Sequence, residues 1–193
     1  RMKQQRTRLQ SVLGRALLAY QIKKELGADY SRVHEVYGDF GKPSIVGIEG
    51  GYYNISHSGS WVVCAFGSEE VGVDIEQMRP IKEQMPKMFL SADELMEWRH
   101  AQDRMAYFYE RWVLKESYCK FTGRGLHLPL DAIRFYRDTN GILRINGNEQ
   151  VCCKLYSLEK EYKMAVCSKG ILPESVNIVN AQEISRRLAV NVP

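Results

Sequence analysis

Val71-Gly72-Val73-Asp74-Ile75-Glu76 alternates apolar and polar residues. On a β-strand that spacing sends Val71, Val73 and Ile75 to one face and Gly72, Asp74 and Glu76 to the other. The two carboxylates then stand about 7 Å apart at Cα and project together, where they repel each other. A hard cation relieves that repulsion, and Mg2+ characteristically takes one or two carboxylates together with substrate phosphates. A solvated polar face is the other outcome for such a pair. Gly72 removes bulk beside it, which leaves room for a ligand to approach.

A second set of candidates lies in Trp112-Val113-Leu114-Lys115-Glu116-Ser117-Tyr118-Cys119-Lys120. Trp112, Glu116 and Lys120 fall at i, i+4 and i+8, one face of a helix. Glu116 and Lys120 could be an ordinary surface ion pair. Phe108, Tyr109, Trp112, Val113, Leu114 and Tyr118, however, make this helix apolar around much of its girth, and buried charges need partners or a task. A third carboxylate for the strand pair, with a lysine beside it for a phosphate, would supply that task. Asn54-Ile55-Ser56-His57-Ser58 ends a strand at a turn, and Gly41-Lys42-Pro43 is a turn that displays a lysine. Ser56 and His57 lack a GxSxG elbow, so a phosphate-facing or structural His57 fits better than a hydrolase base. The sequence has no P-loop, no GxGxxG and no HExxH, which disfavours ordinary nucleotide folds and zinc-protease chemistry.

These groups need a scaffold. The spacing of Leu9, Val12, Leu13, Ala16, Leu17, Tyr20 and Ile22 predicts a helix from about Arg6 to Leu26, ended by Gly27. Short strands are expected at about 32–37, 52–56, 61–66 and 71–76, separated by turn signals that include Gly50-Gly51. Residues 77–90 read as a mobile connector. Ser91 with Glu94 is a capping box for a helix to about Ala101, and a long helix should span 103–122 and stop at Gly123 and Gly125. Strands near 133–137, 142–146, 151–157 and 162–167, an edge strand near 175–179 and a helix near 181–189 complete the chain. No internal repeat is visible. The order helix, strands, helices, strands is an α+β pattern of two lobes.

The 193 residues, 45% of them hydrophobic, exclude a disordered segment and a large multidomain enzyme. Lys and Arg number 27 against 23 Asp and Glu, a net charge of +4, mild enough to steer an acidic partner without the dense basic stripe of a nucleic-acid domain. Five cysteines without CxxC spacing argue against a zinc site or disulfide framework and for a reducing cytoplasm. No apolar run is long enough to span a membrane.

Taken together, the motifs resemble the 4′-phosphopantetheinyl transferases of the surfactin-synthetase-activating (Sfp) type. That family shows in order a Gly-Lys-Pro turn, N-[IL]-S-H-S, G-[IV]-D-[IV]-E, a helix start F-x-x-x-E and W-x-x-K-E-[AS]-x-x-K. Here they stand as Gly41-Lys42-Pro43, Asn54 to Ser58, Gly72 to Glu76, Phe89 with Glu94 (one residue further apart than the pattern), and Trp112 to Lys120. Gly123-Arg124-Gly125-Leu126 and the strand Tyr162 to Cys167 also fit.

The resemblance implies an α+β fold of two similar α/β lobes in a pseudo-twofold arrangement. The lobes would cover 1–76, short of an upstream basic segment that Arg8 or Arg15 would partly replace, and 77–193, with coenzyme A in the cleft between them. It implies Mg2+-dependent transfer of the phosphopantetheine arm to a serine of an apo carrier protein, with adenosine 3′,5′-bisphosphate released; Mn2+ is an alternative metal. Asp74, Glu76 and Glu116 map onto the metal ligands and Lys120 onto a lysine facing the pyrophosphate. Ser56 and His57 map near the 3′-phosphate, Lys42 and Pro43 around the adenine, and Glu94 onto an acid lining the site. Glu116 is the expected base, directly or through a water held by the metal, and Lys115 is expected to hold the helix or orient the serine. The partner would be a carrier with an acidic helix, from a fatty-acid, polyketide or peptide synthase, and the enzyme a cytoplasmic monomer. The Met-rich connector 77–90, with Arg79, Lys82 and Lys87, is the candidate docking surface. Other classes for the same residues are a Mg2+ phosphohydrolase and a non-catalytic basic adaptor, neither of which would modify a carrier.

Overall fold

The computed structural model describes residues 2–47 and 51–189. A long helix α1 (Met2–Leu26) opens the chain and ends where Gly27 turns left-handed at φ 64°. Its apolar stripe is buried only from the middle onward: Leu18 and Ile22 are fully covered, whereas Leu9 and Val12 stay exposed. Two antiparallel pairs follow, β1 (His34–Tyr37) with β2 (Pro43–Val46) and β3 (Tyr52–Ser58) with β4 (Trp61–Gly67). The strand β2 was not expected from sequence. The Gly50 half of the Gly50-Gly51 turn signal lies outside the described residues.

Strand β5 (Val71–Gln77) begins a five-stranded antiparallel sheet in the order β5-β9-β8-β7-β6, with β6 Phe135–Arg137, β7 Leu143–Ile145, β8 Asn148–Tyr156 and β9 Tyr162–Ser168. Between β5 and β6 lie α2 (Gln84–Phe89), α3 (Ala92–His100) and α4 (Arg104–Thr122). The connector is therefore partly helical. Pro86 sits in the first turn of α2, where no helical N–H is required of it. The capping box of α3 forms as read, and α4 starts on Asp103, whose carboxylate accepts from Ala106 N, and stops at left-handed Gly123. The segment expected as a strand at 175–179 pairs with nothing among the described residues. Its Leu172 and Val176 pack as irregular chain against the sheet before α5 (Ala181–Leu188).

The succession helix, hairpin, antiparallel pair occurs twice, as α1, β1-β2, β3-β4 and as α4, β6-β7, β8-β9. This is a mixed α+β fold of two similar halves, a repetition the sequence does not display. Helix α1 covers Ile45 and Tyr53. Helix α4 covers one face of the larger sheet through Val113, Leu114, Cys119 and Phe121. The opposite face of that sheet, with Val71, Val73, Ile75, Tyr162 and Met164, meets Trp61, Val63 and Ala65 of β4. Placed by sequence at the end of the first lobe, β5 is hydrogen-bonded to β9 of the second. All five cysteines are free, and among the described residues no helix is long and apolar enough to cross a membrane.

Candidate active site

The alternation on β5 holds. Val71, Val73 and Ile75 are buried against β4 and β9, while Asp74 and Glu76 stand on the side of α4. Gly72 serves a purpose other than the one expected. A Cβ there would overlap the Ser117 carbonyl oxygen and the Phe121 nitrogen, so the missing side chain makes room for the helix itself and not for a ligand. This close approach brings α4 onto β5 and sets Glu116 and Lys120 beside the strand carboxylates. Lys120 Nζ lies 2.7 Å from Asp74 Oδ1 and donates to Ser56 Oγ at 2.9 Å. Ser56 in turn donates to Asp74 Oδ1 at 2.9 Å.

The electrostatics identify the cluster. Burial raises the proton affinity of Asp74, partly offset by Lys120 and Ser56. Burial also raises that of Glu76, with Asp74 adding to it and Ser58 and Trp112 opposing by hydrogen bonds. Glu116 is raised by burial first, then by Asp74 and Glu76. Three carboxylates thus repel one another around a single ammonium, in surroundings of low dielectric. Asp74 Oδ2 is buried and has no hydrogen-bond partner among the described residues. An all-oxygen set with an orphaned carboxylate oxygen suits a hard divalent cation. The side chains as they stand are not closed into a ready cage: among the described residues no group of three or more His, Cys, Asp or Glu is drawn together tightly enough to hold a metal.

The structure gives Lys115 and Glu94 other partners than the carboxylate cluster. Lys115 is fully buried and uses all three of its ammonium protons, on Glu94 Oε2 at 2.6 Å, Leu130 O at 2.8 Å and Phe89 O at 3.0 Å. Glu94 also accepts from Ser91 N at 2.9 Å as half of the capping box. The pair ties α3 and the end of α2 to α4. Lys42 donates to the Phe121 carbonyl at the C-terminus of α4, where a cation suits the helix dipole, and its stem lies against Gly123. Pro43 begins β2. His57 faces the side of β3 opposite to Ser56 and is exposed, close to where Gln10 of α1 donates to Gly59 O.

Sequence reading missed Asn54, Ser58 and the Trp112 bond to Glu76. The signal was present as N-x-S-x-S, polar groups at period two on a strand next to one that carries carboxylates at the same period.

Comparison with known proteins agrees with the motifs. The 4′-phosphopantetheinyl transferase superfamily model matches residues 70–167. The 4′-phosphopantetheinyl transferase Sfp of Bacillus subtilis (strain 168) is 34% identical over 180 residues, 90% of this chain and 80% of that protein. The 4′-phosphopantetheinyl transferase psf-1 of Bacillus pumilus is 34% identical over 185 residues, 92% of this chain and 79% of its own length. Among solved structures, holo-[acyl-carrier-protein] synthase from Neisseria meningitidis aligns with 51% of this chain and 95% of its own at 18% identity and a TM-score of 0.44. The ordered motifs, the carboxylates gathered between β5 and α4, and relatives matched along most of their length lead to one statement: this chain belongs to the 4′-phosphopantetheinyl transferase superfamily.

Proposed function

We propose that Asp74, Glu76 and Glu116 hold the divalent cation, Mg2+, with which this transferase moves the 4′-phosphopantetheine arm of coenzyme A onto a serine of an apo carrier protein. The observation that carries the reading is the mutually repelling set of three carboxylates around Lys120, Asp74 buried and Glu76 and Glu116 partly so, with Asp74 Oδ2 unpartnered among the described residues. Mg2+ bound there supplies charge neutralisation for the pyrophosphate and for the leaving adenosine 3′,5′-bisphosphate.

The remaining chemistry belongs to the chain. Lys120, held on Asp74 and Ser56, presents a fixed ammonium to the phosphate whose bond breaks. Glu116 takes the proton from the serine hydroxyl, directly or through a water. The serine oxygen attacks the β-phosphorus as the bond to the bisphosphate oxygen breaks, so positioning outweighs covalent participation by the protein. His57 offers a ring N–H, and the exposed Arg8 or Arg15 of α1 positive charge, to the 3′-phosphate. Lys42 and Pro43 flank the adenine. Lys115 and Glu94 act at one remove, by fixing α4 against α3.

The two lobes meet in this reading where β3 of the first runs beside β5, the end of 1–76 that is paired to β9 of 77–193, and coenzyme A lies across that junction. The carrier presents an acidic helix to Arg79, Lys82, Lys87 and Met88, all exposed on the connector, while Phe89 and Leu90 of the same stretch turn inward. One chain supplies both halves, so the enzyme works as a monomer. Free buried cysteines suit a reducing cytoplasm. The test is intact-protein mass spectrometry of an apo carrier with coenzyme A and Mg2+. The expected mass gain should vanish with EDTA and fall by about 100-fold or more in Glu116→Gln. Near-normal turnover by Glu116→Gln would remove that residue from the chemistry.

A further inference from the structure

Strands β3 and β5 run in the same direction side by side, yet no backbone ladder joins them. The outward N–H groups of β5 are met instead by side chains of β3. Val73 N donates to Asn54 Oδ1 at 2.9 Å, Ile75 N to Ser56 Oγ at 3.4 Å and Gln77 N to Ser58 Oγ at 3.0 Å. The offset is constant because both strands have a period of two. A hydroxyl that accepts an N–H still has one proton to give. Ser56 gives it to Asp74, and Ser58 gives it to Glu76 Oε2 at 2.8 Å. Asn54 meets β5 in the same way but donates to neither carboxylate in these contacts, which makes it a natural control.

We propose that Ser58 is a positioning residue for the cation. Its hydroxyl, oriented by the Gln77 N–H, donates to Glu76 Oε2 and, together with the Trp112 bond, holds the Glu76 carboxylate on the side of α4, where the cation would bind. The inference rests on the reading that Asp74, Glu76 and Glu116 hold a divalent cation. Hydrogen bonds of this kind to ligating carboxylates typically govern affinity by about 10–100-fold. Ser58 therefore sets how tightly the cation is held and leaves the chemical step itself largely alone.

The experiment measures Mn2+ binding by electron paramagnetic resonance, without and with coenzyme A, for the wild type, Ser58→Ala, Ser58→Thr, Asn54→Ala and Glu116→Gln, all below their melting temperatures. Turnover is followed against Mg2+ concentration. Ser58→Ala should bind Mn2+ about tenfold more weakly and need about tenfold more Mg2+ for half-maximal rate, with kcat at saturating Mg2+ within about threefold of wild type. Ser58→Thr, which keeps the hydroxyl, should return both values to near wild type. Asn54→Ala should lower the melting temperature and leave Mn2+ affinity in place. Unchanged Mn2+ affinity in Ser58→Ala, with Glu116→Gln weakened, overturns the inference while the metal reading stands. An equal loss in Asn54→Ala also overturns it, because the contact between strands and not the carboxylate would then matter. If the wild type shows no Mn2+ binding that Glu116→Gln weakens, the metal reading fails and takes this inference with it.

Discussion

Lys115 is the residue on which motif and structure diverge most, and its removal separates the two. The W-x-x-K-E pattern puts it beside Glu116, the proposed base, whereas in the structure its ammonium is saturated by Glu94, Phe89 O and Leu130 O and has no exposed surface. Lys115→Met keeps the length of the side chain and deletes the charge. Glu94 is then left as a buried carboxylate without its cation, and two carbonyls lose a donor. Breaking a buried pair from one side costs about 3–5 kcal/mol. For a chain of this size that is a fall of about 6–20 °C in Tm. Adding Glu94→Gln removes the stranded charge, and the double variant should recover at least half of the loss. Calorimetry or thermal circular dichroism gives the Tm, and turnover is measured well below it. The variant that still folds should retain kcat within about tenfold, because the reacting groups are untouched. A Tm within about 2 °C of wild type, together with a collapse of kcat, would refute this reasoning and return Lys115 to the reacting centre.

Gly72→Ala should be among the most damaging small changes in the chain, at about 3 kcal/mol or more, because the added methyl overlaps backbone atoms of α4 that cannot yield; a soluble variant of unchanged Tm would contradict the packing. Glu116→Gln without divalent cation should melt about 1–3 °C above wild type near pH 8, since its raised pKa means that the ionised form opposes folding there; a lower Tm would show that Glu116 is not repelled by Asp74 and Glu76. Glu35 has a pKa held down mainly by the Tyr30 hydroxyl, and then by Tyr37 and Tyr53. Its stabilisation of β1-β2 is present above the ordinary carboxylate pKa and lost as pH falls through the lowered one. The Tm gap between wild type and Glu35→Gln should accordingly be open near pH 6 and narrow steadily as pH falls below the ordinary carboxylate pKa.

What could be read from sequence followed from short-range rules. The alternation on β5, the Ser91–Glu94 box and the Asp103 and Gly123 ends of α4 are local, and each is where the pattern puts it. Because Glu116 and Lys120 are one turn apart, their common face was also legible. Two elements went unread for local reasons: β2 hides behind the turn signal of Gly41-Lys42-Pro43, and α2 behind Pro86 and a run of methionines. Long-range partners escaped altogether. Nothing near Lys115 announces that Glu94, 21 residues earlier, absorbs its charge. Nothing near Gly72 says that the approaching body is a helix and not a ligand. The ladder of Asn54, Ser56 and Ser58 on β5 needs the three-dimensional offset of 19 residues between donor and acceptor.

The three carboxylates of the proposed site are not equivalent in their neighbours. Asp74 is held by Lys120 and Ser56, Glu76 by Ser58 and Trp112. Each of these bonds favours the ionised form and partly offsets the burial that opposes it. For Glu116 the balance differs: after burial, the strongest influence is the like charge of Asp74, and the opposing cation, Lys120, is already committed to Asp74. In the proposed reading, the two carboxylates on the rigid strand, with their hydroxyl and ammonium donors, would gather the cation, and the third, on the helix that packs across it, would take the proton from the serine. What distinguishes the carboxylates therefore lies in their neighbours and not in the motif letters that name them.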